Sequence, residues 1–154
     1  MLHELLRIKK IREQSAMDEV RKCQYRLEEA NGKVKEKEEE LANYINWRCK
    51  EEQQLYDNIL NTSVRQKELD FLKQSVALMR EKDVELQQTI EEAKKTVEEA
   101  KKSLEEARDK HNKAMQAVEK FEEFTRVQDE EAAKEAERLE ELEMEEFTVR
   151  PDRY

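Results

Sequence analysis

Apolar residues recur at alternating steps of three and four along the second half of the chain, from Leu69 to Leu142. Of the 22 positions in this series, 17 are apolar, and the phase holds for more than ten heptads without a slip. Such steps place every member of the series on one stripe of an α-helix. The series therefore predicts a long helix that forms one strand of a coiled coil.

Residues that form turns are almost absent from the chain. It has 154 residues, of which 45% are charged, with one glycine, Gly32, and one proline, Pro151. Globular domains need turns, and turns draw on glycine and proline. Intrinsic disorder shares the high charge, but a disordered chain does not hold a heptad phase. The sequence therefore predicts an all-α fold built from long helices.

An earlier seam with the same spacing runs from Val20 to Thr62. Eight of its 13 positions are apolar, and most of the polar ones cluster toward its end. Asn31-Gly32 is a turn signal within this seam, yet the apolar phase continues across it, with Gly32 on the outer face. We therefore predict one continuous helix over about 2–60 that tolerates a glycine costing ~1 kcal/mol.

The two seams meet at a short loop, predicted at about 61–63. Ser63 and Gln66 fit an S-x-x-Q capping box, which starts a second helix over about 64–149. Because a short loop forces neighbouring helices to run antiparallel, residues 1–154 are predicted to form a single antiparallel two-helix coiled-coil hairpin. Helix one is the shorter of the two, and its first residues lie opposite residue ~125, so the acidic segment at about 126–147 overhangs as a single helix.

The register of the hairpin follows from the sizes of the seam residues. Setting Leu27 opposite Ala100 pairs large with small side chains, and it brings Tyr44 beside Asp83. A slip of one heptad would instead give Lys37 an ion pair with Asp83. We prefer the first register because it also pairs large with small at Val20–Ala107, Ala30–Val97 and Val34–Ala93.

Charge and cysteine usage limit the compartment and the partners. The net charge is −9, and Glu119–Phe147 alone holds 13 acidic against 4 basic residues. An acidic balance argues against nucleic acid as a partner. No apolar run reaches the ~18–20 residues of a membrane span. Cys23 and Cys49 lie ~39 Å apart on one predicted helix and cannot pair, so we expect the cell interior.

Residue patterns that support catalysis or metal binding are missing from the sequence. A phosphate-binding loop needs several glycines, and a zinc site needs clustered cysteine or histidine. His3 and His111 are far apart, and His111 falls in the seam as a polar layer that fixes register. Catalytic carboxylate pairs need a desolvated cleft, which a two-stranded rod lacks. We therefore predict no enzyme activity, no metal and no cofactor.

The N-terminal stretch LHELLRIKKIR has apolar residues in addition to those that the seam of the hairpin requires. Its second apolar face lies off the seam and is flanked by base; the residues are Leu5, Arg7, Ile8, Lys9, Lys10, Ile11 and Arg12. A frayed terminus and a membrane-surface helix remain alternatives. We favour insertion into a protein partner, because apolar faces rimmed by base are typical docking elements.

The hairpin tip and the acidic tail are two further candidate surfaces. Trp47, Tyr56 and Phe71 lie off the seam near the tip, where they either cover its flanks or bind a partner. Arg48 and Glu51 interrupt the seam there and are expected to loosen packing and reach outward. The tail adds Leu139, Leu142, Met144 and Phe147, either as a solvated charge run or as a docking segment.

Two stretches, LLRIKKIREQSA and NYINWRCKEEQQLYDNILNT, resemble the YscO family of virulence type III secretion systems, which is related in architecture to the flagellar export protein FliJ. The second stretch is the more specific, with Trp47-Arg48 followed by Glu51-Glu52-Gln53. The alanine- and glutamate-rich second helix departs from the family pattern.

The resemblance implies a cytoplasmic component at the inner-membrane secretion apparatus, similar to the central stalk of a rotary ATPase. The hairpin itself is expected to be monomeric. Carried over to this sequence, the seven N-terminal residues named above would contact the hexameric secretion ATPase. An export-gate protein and secretion chaperones would bind the tip at Trp47, Arg48, Glu51, Glu52, Leu55, Tyr56 and Phe71. Alternatives are an adaptor or holdase that never touches an ATPase, and a scaffold that dimerises through its seams.

Overall fold

The chain is a helical hairpin. In this computed structural model, which describes residues 1–60 and 65–149, helix α1 spans Leu2–Leu60 and helix α2 spans Gln66–Val149, and those residues contain no strand. The two helices run antiparallel and bond to each other from His3–Asp129 to Arg48–Asp83, which confirms the predicted fold class. The loop predicted at 61–63, including Ser63 of the capping box, lies outside the described residues.

The first turns of the helices carry acidic residues. Glu4 lies in the first turn of α1 and Glu68 in that of α2, where a negative charge is stabilised by the helix dipole. The Arg65 carbonyl accepts hydrogen bonds from the backbone N–H groups of Glu68, at 3.1 Å, and Leu69, at 3.2 Å. These bonds start α2 at Gln66.

Helix α1 passes through Asn31 and Gly32 without interruption, which confirms that the glycine is an interior helix residue. Gly32 is exposed, and a Cβ atom added to it would meet nothing within 4 Å. The glycine is therefore not required by packing at this point.

The chain divides into two compact units. Unit 1 combines Met1–Val20 with Glu106–Tyr154, and unit 2 comprises Arg21–Glu105. Each unit contains one piece of α1 packed against one piece of α2.

The core of unit 2 follows the predicted seams. Among its residues that the structure describes, all the buried apolar ones are seam positions: Cys23, Ala30, Leu72, Val76, Leu86, Ile90, Val97 and Leu104. Among the described residues no large side chain is completely buried, because two helices can cover only one stripe of each other. Stability therefore depends on a thin row of side chains, in which burying a large one such as Leu or Ile contributes at most about 1.5–3 kcal/mol.

Polar contacts in unit 2 distinguish the two candidate registers. The Tyr44 hydroxyl donates a 2.8 Å hydrogen bond to the Met79 carbonyl, and Asp83 pairs with Arg48 at 2.9 Å. Lys37 pairs with Glu40 on its own helix, at 3.3 Å. The observed pairing agrees with the preferred register and not with the slipped one, which needs a Lys37–Asp83 pair.

The core of unit 1 is more polar. Val20 and Ala107 are buried, and so is Thr125, whose hydroxyl donates a 2.7 Å hydrogen bond to the Phe121 carbonyl. His111 Nε2 lies 2.8 Å from Glu13 Oε1 on the opposite helix, and both side chains are largely covered. This pair is the polar layer that the sequence predicts at His111.

Helix α2 continues past the start of α1 as an acidic overhang. Every residue from Glu130 to Thr148 is exposed, and α2 remains helical to Val149. Ion pairs one turn apart support the single helix: Arg126 with Glu123 and with Glu130, and Arg138 with Glu135. The structure thus confirms the predicted overhanging helix.

The described residues include no helix that combines the length and apolar character needed to traverse a bilayer. In the same parts of the chain, 1–60 and 65–149, no group of three or more histidine, cysteine, aspartate or glutamate residues is arranged to hold a metal ion.

Candidate partner-binding surfaces

The N-terminal part of α1 exposes the apolar residues that the sequence singles out. Leu5, Ile8 and Ile11 are 41%, 37% and 56% exposed, although they are large and apolar. Leu2 and Leu6 occupy the seam instead and are partly covered. The second apolar face therefore exists beside the seam of unit 1.

One edge of unit 1 is ionic. His3 pairs with Asp129 at 3.0 Å, and Lys10 pairs with Glu122 at 4.0 Å. When the heptad is lettered a to g with the seam residues at a and d, all four of these residues occupy position e. In an antiparallel pair each edge brings together the same heptad position of both helices, so the opposite edge combines Leu5 with Phe124.

That opposite edge is apolar on both helices. Phe124 and Val127 of α2 are 45% and 38% exposed. The Phe124 ring meets the Phe121 ring edge-on with centroids 5.8 Å apart, and Lys120 Nζ lies 5.7 Å from the Phe124 centroid. We call Leu5, Ile8, Ile11, Phe124 and Val127 together the N-terminal face.

Phe124 and Val127 were not among the binding residues predicted from the sequence. The predicted apolar face of the N-terminus consists of α1 residues alone, and the antiparallel register adds Phe124 and Val127 of α2 to the edge of Leu5. The sequence signals that could have identified them are their heptad positions. In the antiparallel register these positions place both residues on the same edge of the hairpin as Leu5.

The four basic residues of the N-terminus have different surroundings. Arg7 pairs with Glu4 at 2.6 Å, and Lys9 Nζ lies 5.5 Å from the Phe121 ring centroid. Lys10 belongs to the ionic edge. Arg12 is exposed, and its heptad position is that of Leu5, so it borders the N-terminal face.

Near the predicted tip, the polar seam residues Arg48 and Asp83 form an ion-pair cluster with Glu52 and Arg80 beside the seam, which we call the Arg48 cluster. Arg48 bonds Asp83 through two nitrogens, at 3.1 and 2.9 Å, and donates to Glu52 at 3.0 Å. Arg80 donates to Glu52 at 3.2 Å. Two positive and two negative side chains thus balance one another across the helices.

The cluster shifts the acidity of its members. Hydrogen bonds from Arg80 and then from Arg48 lower the pKa of the Glu52 carboxyl, against the opposing effect of burial. Hydrogen bonds to Glu52 and Asp83 raise the pKa of the Arg48 guanidinium. Burial, assisted by the charge of Asp83, raises the pKa of the neighbouring Tyr44 hydroxyl.

The expectation that Arg48 loosens the seam and reaches outward is therefore corrected. The side chains of Arg48 and Glu52 are only 14% and 11% exposed, and their polar atoms bond within the hairpin. A charge that is paired and hydrogen-bonded at such a covered site holds the two helices in register. Arg48 and Glu52 belong to the structure of the hairpin, and Glu51, which lies in the seam, is half-buried.

The aromatic residues near the tip are exposed. Trp47 packs its ring 5.6 Å from that of Tyr44 and remains half exposed, and Tyr56 and Phe71 are exposed as well. Leu55 is half-buried. By heptad position Trp47 and Phe71 share one edge of unit 2, whereas Tyr56 lies on the edge of Arg80. The predicted tip residues therefore form two separate surfaces.

Comparisons with known proteins agree with this architecture. The family model described as type III secretion protein YscO matches residues 2–150. The crystal structure of the type III secretion protein YscO from Vibrio parahaemolyticus is similar, with a TM-score of 0.87 and 33% identity over 96% of this chain and 92% of that one. No curated protein sequence matches significantly. This chain belongs to the YscO family of type III secretion proteins.

Proposed function

We propose that the chain is a stalk-like coupling protein whose N-terminal face binds the hexameric secretion ATPase. The observation that carries the proposal is the exposure of five large apolar side chains together in a hairpin that belongs to a secretion family. Contiguous exposed apolar surface in a protein of this size marks an interaction site. Arg7, Lys9, Lys10 and Arg12 would steer the hairpin toward an acidic surface of the ring.

A hairpin can couple without chemistry of its own. A ring that hydrolyses ATP passes through several states, and a protein that binds one state better than another shifts the balance among them. In this chain the paired α1 and α2 of unit 1 would make the contact that differs between those states. In this proposal the ends of the two helices enter the pore of the ring, and the chain promotes turnover by differential contact.

The tip is proposed to bind an export-gate protein or secretion chaperones. The residues we assign to it are Trp47, Glu51, Leu55, Tyr56 and Phe71, while the Arg48 cluster holds their positions. Exposed aromatic residues are frequent binding hot spots. The protein would work in the cytoplasm, peripherally attached to the inner-membrane secretion apparatus of a virulence system.

The ATP turnover of the cognate ATPase, measured with and without this protein, tests the coupling role. We expect stimulation by the wild type and its loss in the double variant Ile8→Asp with Ile11→Asp, at unchanged helicity by circular dichroism. Tyr25→Asp, on an exposed residue of unit 2, is the matched control and should stimulate normally.

An adaptor or holdase is the alternative function, supported by the exposed aromatic residues of the tip. In that case the ATPase is neither stimulated nor retained in a pull-down, whereas Trp47→Ala with Phe71→Ala abolishes capture of a secretion chaperone. A pull-down of the ATPase with full-length protein and with a variant lacking residues 1–12 separates the two functions.

A further inference from the structure

The acidic overhang carries an unpartnered continuation of the α2 seam. Leu139 and Leu142 keep the heptad phase of the buried seam residues, but they are 52% and 49% exposed because they lie beyond the start of α1 and no helix covers them. Met144 and Phe147, with Glu140 and Glu143, form a shallow depression further along the same helix. An isolated helix gains most of its stability from packing, so this segment is built to meet another surface.

The charge of the overhang indicates the charge of the surface that it binds. Between residues 130 and 148 the chain holds nine acidic and two basic side chains. Pairing two such overhangs with each other would oppose like charges. The complementary surface is therefore apolar and basic.

The apolar edge of unit 1 has both properties. By heptad position it includes Leu5, Ile8, Phe124 and Val127. The basic residues on this edge are all exposed, and they are Arg12, Lys110, Lys113 and Lys120. On this edge both helices contribute large exposed apolar groups and flanking base, and the edge belongs to the same unit as the overhang.

We infer that a second copy of the chain occupies this edge, with the overhang of each copy lying in the groove between α1 and α2 of the other. The dimensions agree: residues 130–148 span about 28 Å as a helix, and the edge from Lys113 to Val127 spans about 21 Å. A two-fold axis makes both contacts identical and closes the assembly at a dimer. Each contact is a short three-helix bundle in which Leu139 and Leu142 cover Phe124 and its neighbours.

The dimer covers the N-terminal face. If that face binds the ATPase, as proposed above, self-association and ATPase binding exclude each other. The dimer must then dissociate before the chain can bind the ATPase. This consequence rests on the proposed function, whereas the dimer itself does not. A test of the dimer without the ATPase therefore distinguishes a failure of the dimer inference from a failure of the proposed ATPase binding.

Sedimentation velocity of the full-length protein provides the test. Over a roughly hundredfold range of protein concentration we expect a reversible monomer–dimer equilibrium. Dissociation should be stronger at about 500 mM than at about 50 mM NaCl, because the contacts are partly ionic. Leu139→Asp with Leu142→Asp should raise the dissociation constant at least about tenfold. Tyr25→Asp with Leu78→Asp, on exposed residues of unit 2, should leave it unchanged.

Charge reversal identifies the surfaces that meet. Lys113→Glu with Lys120→Glu should weaken the dimer, and so should Glu143→Lys with Glu145→Lys, whereas an equimolar mixture of the two variants should regain association. Circular dichroism checks that each variant keeps its helicity. A monomer at every concentration, a dimer insensitive to all of these changes, or a mixture that does not associate would each overturn the inference.

Discussion

The Arg48 guanidinium holds the Asp83 carboxylate with two bonds, at 3.1 and 2.9 Å, at a point where the hydrophobic seam of each helix is interrupted. The two interruptions face each other across the hairpin. A third bond, from Arg48 to Glu52 at 3.0 Å, links this pair to Arg80. The polar residues that interrupt the two hydrophobic seams therefore form ion pairs with one another when the helices pair.

Arg48→Met should lower the melting temperature by several degrees, because it leaves the Asp83 carboxylate covered and without its cation. Arg80→Met should have a smaller effect, since Arg80 is 63% exposed and lies at the rim. Thermal unfolding followed by circular dichroism compares the two. Equal losses would contradict the central place of Arg48 in the cluster.

Ionisation of the Glu52 carboxyl should make the folding stability of the hairpin depend on pH. Its pKa is lowered in the folded chain, so its contribution is fully present above the unfolded value of about 4.3 and is lost as the pH falls through the folded pKa. Glu52→Gln should therefore lower the melting temperature at pH 7, and the gap to the wild type should narrow as the pH approaches about 3. Glu38→Gln, at an exposed position, is the control. A gap that stays constant with pH would contradict the assignment.

Ile90→Ala should destabilise the hairpin by about 2–4 kcal/mol, because Ile90 is buried in the thin core of unit 2 and its loss leaves a cavity. Urea unfolding at matched slopes measures the change. Leu78→Ala, at an exposed position, should stay within about 0.5 kcal/mol of the wild type. If both variants behaved alike, the seam would not be the core.

Gly32→Ala should stabilise the chain by about 0.8–1 kcal/mol, since alanine is the better helix former and the added Cβ meets no neighbour within 4 Å. A rise in the melting temperature and in the urea midpoint would be the sign. A loss of stability would show that the glycine serves a close approach absent from this structure.

Local periodicity was sufficient to predict both helices and the buried seam, because a heptad repeat depends only on neighbours along one chain. It led to a wrong interpretation of Arg48, because its partners Asp83 and Arg80 belong to the other helix and meet it only in one register. Phe124 was missed for the same reason. An edge surface shared by two helices has no signature in either helix alone.

Position-specific photo-cross-linking tests the proposed coupling role most directly. A photoreactive residue at Ile8, on the N-terminal face, should cross-link to the secretion ATPase, whereas the same residue at Tyr25, exposed on α1 within unit 2, should not. Cross-linking from position 25 alone, or from neither position in a complex that stimulates turnover, would contradict the account.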